Sequence, residues 1–223
     1  MFSKHVWYDT RHQAEVFLDE NGEVSGTIVA YEGTVFVVNP HPEILTALYH
    51  EAKMKRILSL GGVVLTDSAL EHTRGLCALV NYSRGLRRKR PLLVISRRGG
   101  ALPTAYLNSA CSQILRQTSQ FPVTIQTLGE NEPFRFGKGT ISFLPYSTEE
   151  ADASVLAIRT ERGRLLHYLD EGCGRAGVPP EEIRNAAPHL VIRAMRSSDR
   201  EFALEPTLLS EIGRVGVEEI REG

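Results

Sequence analysis

The stretch Leu65-Thr-Asp-Ser-Ala-Leu-Glu-His-Thr-Arg-Gly-Leu76 decides how the chain is read. It follows an apolar run, Gly61-Gly-Val-Val-Leu65, whose last residues Val63–Leu65 predict a short buried strand. It leads into residues 73–86, where Leu76, Leu79 and Val80 recur at helical spacing. The twelve residues therefore join a strand end to a helix start, and they carry Asp67, Glu71 and His72. Carboxylates and an imidazole gathered in such a loop can ligate a divalent cation. A local reading accounts for the same residues. Ser68-x-x-Glu71 has the spacing of a capping box, in which Glu71 reaches back to the Ser68 backbone. Asp67 is then a turn residue and His72 a helix-start residue. Both readings stand on these residues.

Outward from this loop the chain alternates. Glu15–Leu18, Thr27–Ala30 and Thr34–Val38 read as strands, separated by turns at Asn21-Gly22 and Glu32-Gly33. Pro42 opens a helical pattern to about residue 55, with Ile44, Leu45, Leu48 and Tyr49 on one face. Pro91–Ile95 is the next strand and residues 103–117 the next helix. Five strand candidates follow, at Val123–Leu128, Pro133–Phe136, Thr140–Leu144, Val155–Ile158 and Leu165–Tyr168. A short helix near 179–185, a strand at His189–Ile192 and a helix over 206–214 complete the pattern. No repeat, low-complexity segment or linker interrupts it, so residues 1–223 are expected to form one domain. Sheet and helix are mixed in both halves. An α+β fold is expected, with two sheets face to face and helices outside, a four-layer αββα sandwich. A doubly wound parallel sheet would need more regular alternation than residues 120–170 show.

The loop resembles that of the metallo-β-lactamase superfamily, His-x-His-x-Asp-His after a strand, preceded by Thr and followed by Gly-Leu. In that frame Asp67 stands at the first His, Ala69 at the second, Glu71 at the Asp and His72 at the last His. His167-Tyr-Leu-Asp170 resembles the later strand end of the superfamily, which matches Asp170 to its bridging carboxylate. Within the superfamily the chain is most similar to the pyrroloquinoline quinone biosynthesis protein B branch. Leu65 through Leu76 matches its loop, and Asn39-Pro-His-Pro-Glu-Ile44 matches its early strand end. The cysteine-rich zinc segment of that branch is missing here, and no final His ligand follows residue 192.

The resemblance implies a metallo-β-lactamase-like fold and a divergent, mononuclear metal site. Asp67, Glu71, His72 and Asp170 are the expected ligands, with Asp67, His72 and Asp170 as the catalytic groups. Asn39 and His41 are expected to support them from behind. A set rich in oxygen suits iron or manganese at least as well as zinc. His167 is not expected beside Asp170, because side chains three apart on a strand point to opposite faces. The implied activity is metal-dependent hydrolysis or oxidation of a small molecule or a peptide. The alternative is a relative with no metal and no catalysis, acting as a binding or assembly partner for another protein or in a homo-oligomer. Three carboxylates brought together would repel unless a cation or protons lay between them.

Composition narrows the classes further. Hydrophobic residues make up 42% and charged residues 24% of 223, as in globular domains. The formal net charge of -1 offers no long-range field toward nucleic acid or acidic membranes. Arg84-Gly-Leu-Arg-Arg-Lys-Arg90 is the densest basic run. It reads as a solvated helix end, where cations meet the negative end of the dipole. Nucleic acid and membrane partners are not expected. Arg97-Arg-Gly-Gly100 has the flavour of an anion-binding turn but fits no phosphate-loop pattern. No Gly-x-Ser-x-Gly elbow supports a serine hydrolase. Neither a signal-peptide pattern nor an apolar run long enough to span a bilayer is found, so a cytoplasmic location is expected. Three separated cysteines suit a reducing compartment. Cys77 and Cys111 are expected to be buried thiols, and Cys173 to lie in a turn.

Overall fold

The computed structural model describes residues 2–8, 12–18, 24–31, 34–42, 44–45, 48, 57–66, 70–98, 123–147, 152–159, 165–169, 190–193 and 215–220. Strands β1 (Phe2–Tyr8), β2 (His12–Leu18), β3 (Val24–Tyr31) and β4 (Thr34–Val38) form an antiparallel run. β5 (Leu60–Leu65), β6 (Leu92–Arg97) and β7 (Val123–Leu128) join it in parallel. β13 (Val215–Ile220) closes the other edge against β1. The result is an eight-stranded sheet in the order β13-β1-β2-β3-β4-β5-β6-β7. A second sheet, β12-β11-β10-β9-β8, comprises β8 (Phe134–Phe136), β9 (Gly139–Ser147), β10 (Asp152–Arg159), β11 (Leu165–Leu169) and β12 (Leu190–Arg193). Helix α1 (Leu70–Gly85) connects β5 to β6.

β5 and β6 are near-continuous runs of apolar residues because both of their faces are covered. Val63 and Leu65 turn toward the core that holds Leu76, Leu79 and Val80 of α1 and the helical residues Ile44, Leu45 and Leu48. Val64 and Ile95 turn the other way. They enter a second core with Ile141, Phe143, Leu156 and Ile158 of the smaller sheet. Helix, sheet and sheet are thus stacked over two apolar layers. Phe36 of β4 and Phe136 of β8 pin the sheets together edge-to-face, with ring centroids 4.9 Å apart and planes at 73°. The expected α+β mixture is observed, and the five strands expected between residues 123 and 168 are all present. The helices expected over 103–117, 179–185 and 206–214 lie outside the described residues. β1 and β13 were not expected; β13 forms the edge of the larger sheet and β1 lies next to it, between β13 and β2.

Two expectations are corrected. Cys77, expected as a free buried thiol, is disulfide-bonded. It lies half-buried on α1, and its spacing from the other cysteines carries no information about which of them it meets. The run Arg84–Arg90 is not a uniformly solvated helix end, because Arg88 is 3% exposed. Its guanidinium spends five donors on five backbone carbonyls. Nη1 donates to Ile57 (2.8 Å) and Leu58 (3.0 Å). Nη2 donates to Leu60 and Pro91, and Nε to Arg90 (3.0 Å). Residues 57–59 are helical and the chain turns directly into β5, so their carbonyls have no following helical turn to accept from. Arginine's planar fork supplies what is missing. Burial, and then the charge of Arg90, holds the Arg88 guanidinium below its usual range.

Arg88→Met should therefore leave buried carbonyls unpaired and cost about 3–5 kcal/mol. Arg88→Lys, with three donors and no fork, should recover less than half of that loss. Lys89→Ala, at the exposed neighbouring position, should stay within about 0.5 kcal/mol of the parent. Urea unfolding of the three variants checks this. An Arg88→Met midpoint equal to that of the parent would remove the cage from the account.

Candidate functional site

The parallel strands set the frame of the site. Ligands in such sheets sit beyond the carboxyl ends of the strands, because the faces are filled by apolar side chains. At that edge stand Asn39 after β4 and Thr66 after β5, exposed by 2% and 3%. The Asn39 backbone N–H donates to the Val64 carbonyl (2.9 Å), which extends the β4–β5 pairing past the end of the strand. Its side chain then turns onto Thr66. Nδ2 donates to Thr66 Oγ1 (2.7 Å), and Oδ1 accepts from the Thr66 N–H (2.9 Å). Asn39 holds φ at 47°, a left-handed conformation that asparagine tolerates better than most residues. The carboxamide thus fixes the residue from which the loop toward α1 departs.

Gly75 fixes the other end of that loop. A Cβ at this position would lie 2.0 Å from the Pro40 carbonyl oxygen and 2.8 Å from the His41 carbonyl carbon. α1 therefore rests directly on the backbone of residues 40–41, at a distance no side chain permits. Positions 71 and 72 precede Gly75 by four and three residues, so on the helix they share its side. The N-terminal half of α1 is held against the segment that follows β4.

β11 ends at the same edge. Glu130, two residues past β7, pairs in parallel with Phe143 of β9, and the Asn131 N–H donates to the Phe143 carbonyl (2.7 Å). β9 thus runs in the direction in which β7 leaves. β10 reverses it and β11 reverses it again. Leu169 is in register with Val155, and Val155 with Leu144, one residue beyond Phe143. The carboxyl end of β11, followed in sequence by Asp170, accordingly points to the edge that carries Asn39 and Thr66.

Of the expected ligands, Asp67 and Asp170 lie outside the described residues, and Glu71 and His72 are described in their backbone alone. Among the described residues no group of three His, Cys, Asp or Glu side chains could hold a metal ion. The strand directions and registers place backbone positions 66, 71, 72 and 169 toward one edge of the two sheets. The positive end of the α1 dipole lies there too, and carboxylates are stabilised beside it. That favours Glu71 in either reading, as helix cap or as ligand. His41 is half-buried, and its carbonyl accepts the Ile44 N–H (3.1 Å), so its backbone starts the helical turn after Asn39. Sequence reasoning missed the pairing of Asn39 with Thr66 and the close approach at Gly75. The signal was a glycine one turn after an expected ligand, in a helix that otherwise favours side chains.

The Arg97-Arg98 pair, which fits no phosphate-loop pattern, is engaged by acidic side chains within the chain. Arg97 Nη2 meets Glu130 Oε1 at 2.7 Å, and Arg98 Nη2 meets Glu132 Oε2 at 3.0 Å. The same Glu132 oxygen accepts the Gly129 N–H (2.8 Å). The arginines brace the crossing from the larger sheet to the smaller.

No protein-family model and no curated protein matches the chain. Solved structures do. The metallo-β-lactamase fold protein YhfI from Bacillus subtilis matches with a TM-score of 0.54 at 14% identity, over 86% of this chain and 70% of that one. A Cronobacter sakazakii metallo-β-lactamase, a mutant in its HARLDQ motif, gives 0.53 at 13% identity over 86% and 79%. The chain has the metallo-β-lactamase fold. The apo chemotaxis sensor ODP from T. denticola is also similar, with a TM-score of 0.56 at 7% identity over 86% and 87%. At such identities the likeness concerns the fold alone. Within this fold the Asn39–Thr66 pair and Gly75 shape the edge described above.

Two substitutions test that edge. Asn39→Ala takes away the acceptor of the Thr66 N–H and the donor to Thr66 Oγ1, and should cost about 2–4 kcal/mol. Gly75→Ala should cost about 3 kcal/mol or more, since a methyl group must displace backbone. Gly85→Ala, where a Cβ meets nothing within 4 Å, should be neutral or stabilise by up to about 1 kcal/mol. Thermal melts should place Asn39→Ala and Gly75→Ala well below the parent and Gly85→Ala at or above it.

Proposed function

We propose that the chain is a metal-dependent enzyme with one divergent site, a hydrolase or an oxidase acting on a small molecule or a peptide side chain. The observation that carries this reading is the convergence of the end of β5, the first turn of α1 and the end of β11 on one edge. Glu71, His72 and Asp170 would hold the ion, with Asp67 beside them. When bound, iron, manganese or zinc polarises a substrate carbonyl or lowers the pKa of water. Asp67 would accept a proton and orient the attacking water. Asn39 would keep the loop in register through Thr66 without adding a charge. The pyrroloquinoline quinone biosynthesis protein B branch is the proposed kinship, supported by the matched loop and by the contact between its two matched segments, Asn39 with Thr66. A fourth layer of helices over the smaller sheet would complete the αββα sandwich. The alternative, a metal-free binding or assembly partner, rests on Ala69, which offers no ligand atom where the superfamily has one.

Elemental analysis of protein purified without added metal decides between the two. Close to one equivalent of a transition metal is expected. Fe(II), Mn(II) or Zn(II) at about a hundred times its Kd should stabilise the fold by about 2.7 kcal/mol, and His72→Ala and Asp170→Asn should abolish the gain. Less than a tenth of an equivalent, with no thermal shift on adding any of the three ions, would leave the metal-free reading.

A further inference from the structure

The near-zero net charge hides a separation of charge. From His72 to Gly129 the chain carries eight Arg and one Lys but no Asp or Glu. Of 26 cations and 27 acids in all, the remaining residues therefore hold 17 cations against 27 acids. Several of the nine have internal uses. Arg88 fills the carbonyl cage, and Arg97 and Arg98 face Glu130 and Glu132. Arg84, Arg87, Lys89 and Arg90 do not share this fate. All four are exposed, and among the described residues no ion pair engages them. They lie within seven residues of one another, just after Tyr82, whose side chain is exposed at 47%.

The conformation of this turn adds a second observation. The Arg88 N–H donates to the Ser83 carbonyl and the Arg87 N–H to the Arg84 carbonyl, both at 2.9 Å, which is the Schellman ending of a helix. Its left-handed position, normally glycine, is Arg87, with φ at 55°. The helix dipole rewards cations in the last turn, which accounts for Arg84. It does not account for Lys89 and Arg90 beyond the end of the helix, or for an arginine where glycine would relax the backbone.

We propose that this surface binds single-stranded nucleic acid, with the four cations on phosphates and the Tyr82 ring against a base. Three of the four are arginines, whose forks match phosphate. An exposed aromatic ring among them stacks on any base. An acidic membrane would be met by several apolar side chains, and among the described residues Tyr82 is the one large hydrophobic group exposed. The surface lies at the amino ends of the parallel strands. The 16 residues of α1 separate it from the Asn39–Thr66 edge, a rise of about 24 Å. It therefore goes beyond the proposed enzyme and stands or falls without it.

Fluorescence anisotropy of the full chain with a labelled single strand of 20 nucleotides, RNA and DNA in turn, tests this between 50 and 200 mM salt. Binding is expected, with log K falling against log salt at a slope of about -2.8, four contacts at about 0.7 each. Arg87→Ala with Arg90→Ala should reduce the slope to about -1.4. Tyr82→Ala should weaken binding about fivefold or more and leave the slope unchanged. Arg87→Gly should melt higher than the parent yet bind more weakly, which separates lost binding from lost folding. Arg135→Ala with Arg159→Ala, exposed cations outside the segment, should stay within about twofold of the parent. The proposal is overturned by no binding at 50 mM salt, by an equal loss in the Arg135/Arg159 control, by an unaffected Tyr82→Ala, or by phosphatidylserine vesicles being bound in place of either strand.

Discussion

The two-sided burial of β4, β5 and β6 is the constraint on which the rest of the structure depends. A strand that shows Val63 and Leu65 to one layer and Val64 to the other cannot face water on either side. It needs helices on one face and a second sheet on the other. Fully burying each such side chain contributes about 1.5–3 kcal/mol, and the two layers share the same three strands. Polar chemistry is thereby excluded from the faces of the central sheet and pushed to the ends of its strands.

Both ends show how that requirement is met. Where β5 and β6 begin, carbonyls left over by the preceding helical residues converge, and Arg88 answers them with a single buried fork. Where β4 and β5 end, an N–H and a hydroxyl are left over at Thr66, and one carboxamide, Asn39, answers both. The two solutions differ in charge. The guanidinium at the amino edge spends all its donors on backbone carbonyls. The neutral amide at the carboxyl edge adds no charge of its own.

Much of this was legible in the residues, for identifiable reasons. The strands from Val123 to Tyr168 announce themselves by alternation and turn residues, and the helix after His72 by the spacing of Leu76, Leu79 and Val80. The matched frame from Leu65 to Leu76 anticipated the fold that the solved structures share. What escaped depends on contacts between distant segments. Arg88 looks like its neighbours in a basic run, and only the path of residues 57–60 makes it an interior residue. The disulfide of Cys77 belongs to the same class, since spacing along the chain does not say which sulfurs meet. Asn39 and Thr66 are 27 residues apart, and neither is apolar enough to signal burial. For the ligand set itself, the capping box and the metal loop place Glu71 at the same position of the same helix, so the fold alone does not separate them.

α1 ties these features into one element. Its second turn lies on the backbone of Pro40 and His41 through Gly75, its inner face fills the helix-side core, and its last turn feeds the chain into the Arg88 cage. A helix fixed at both ends by backbone contacts transmits a displacement at one end as a rigid body, because its interior hydrogen bonds resist bending. Gly75 allows no sideways slack against Pro40, and the five carbonyls around Arg88 allow little at the other end. Any load on the exposed cations Arg84, Arg87, Lys89 and Arg90 therefore bears on the same rigid element that carries positions 71 and 72. The carboxyl edge and the basic turn are far apart in space, but one helix joins them.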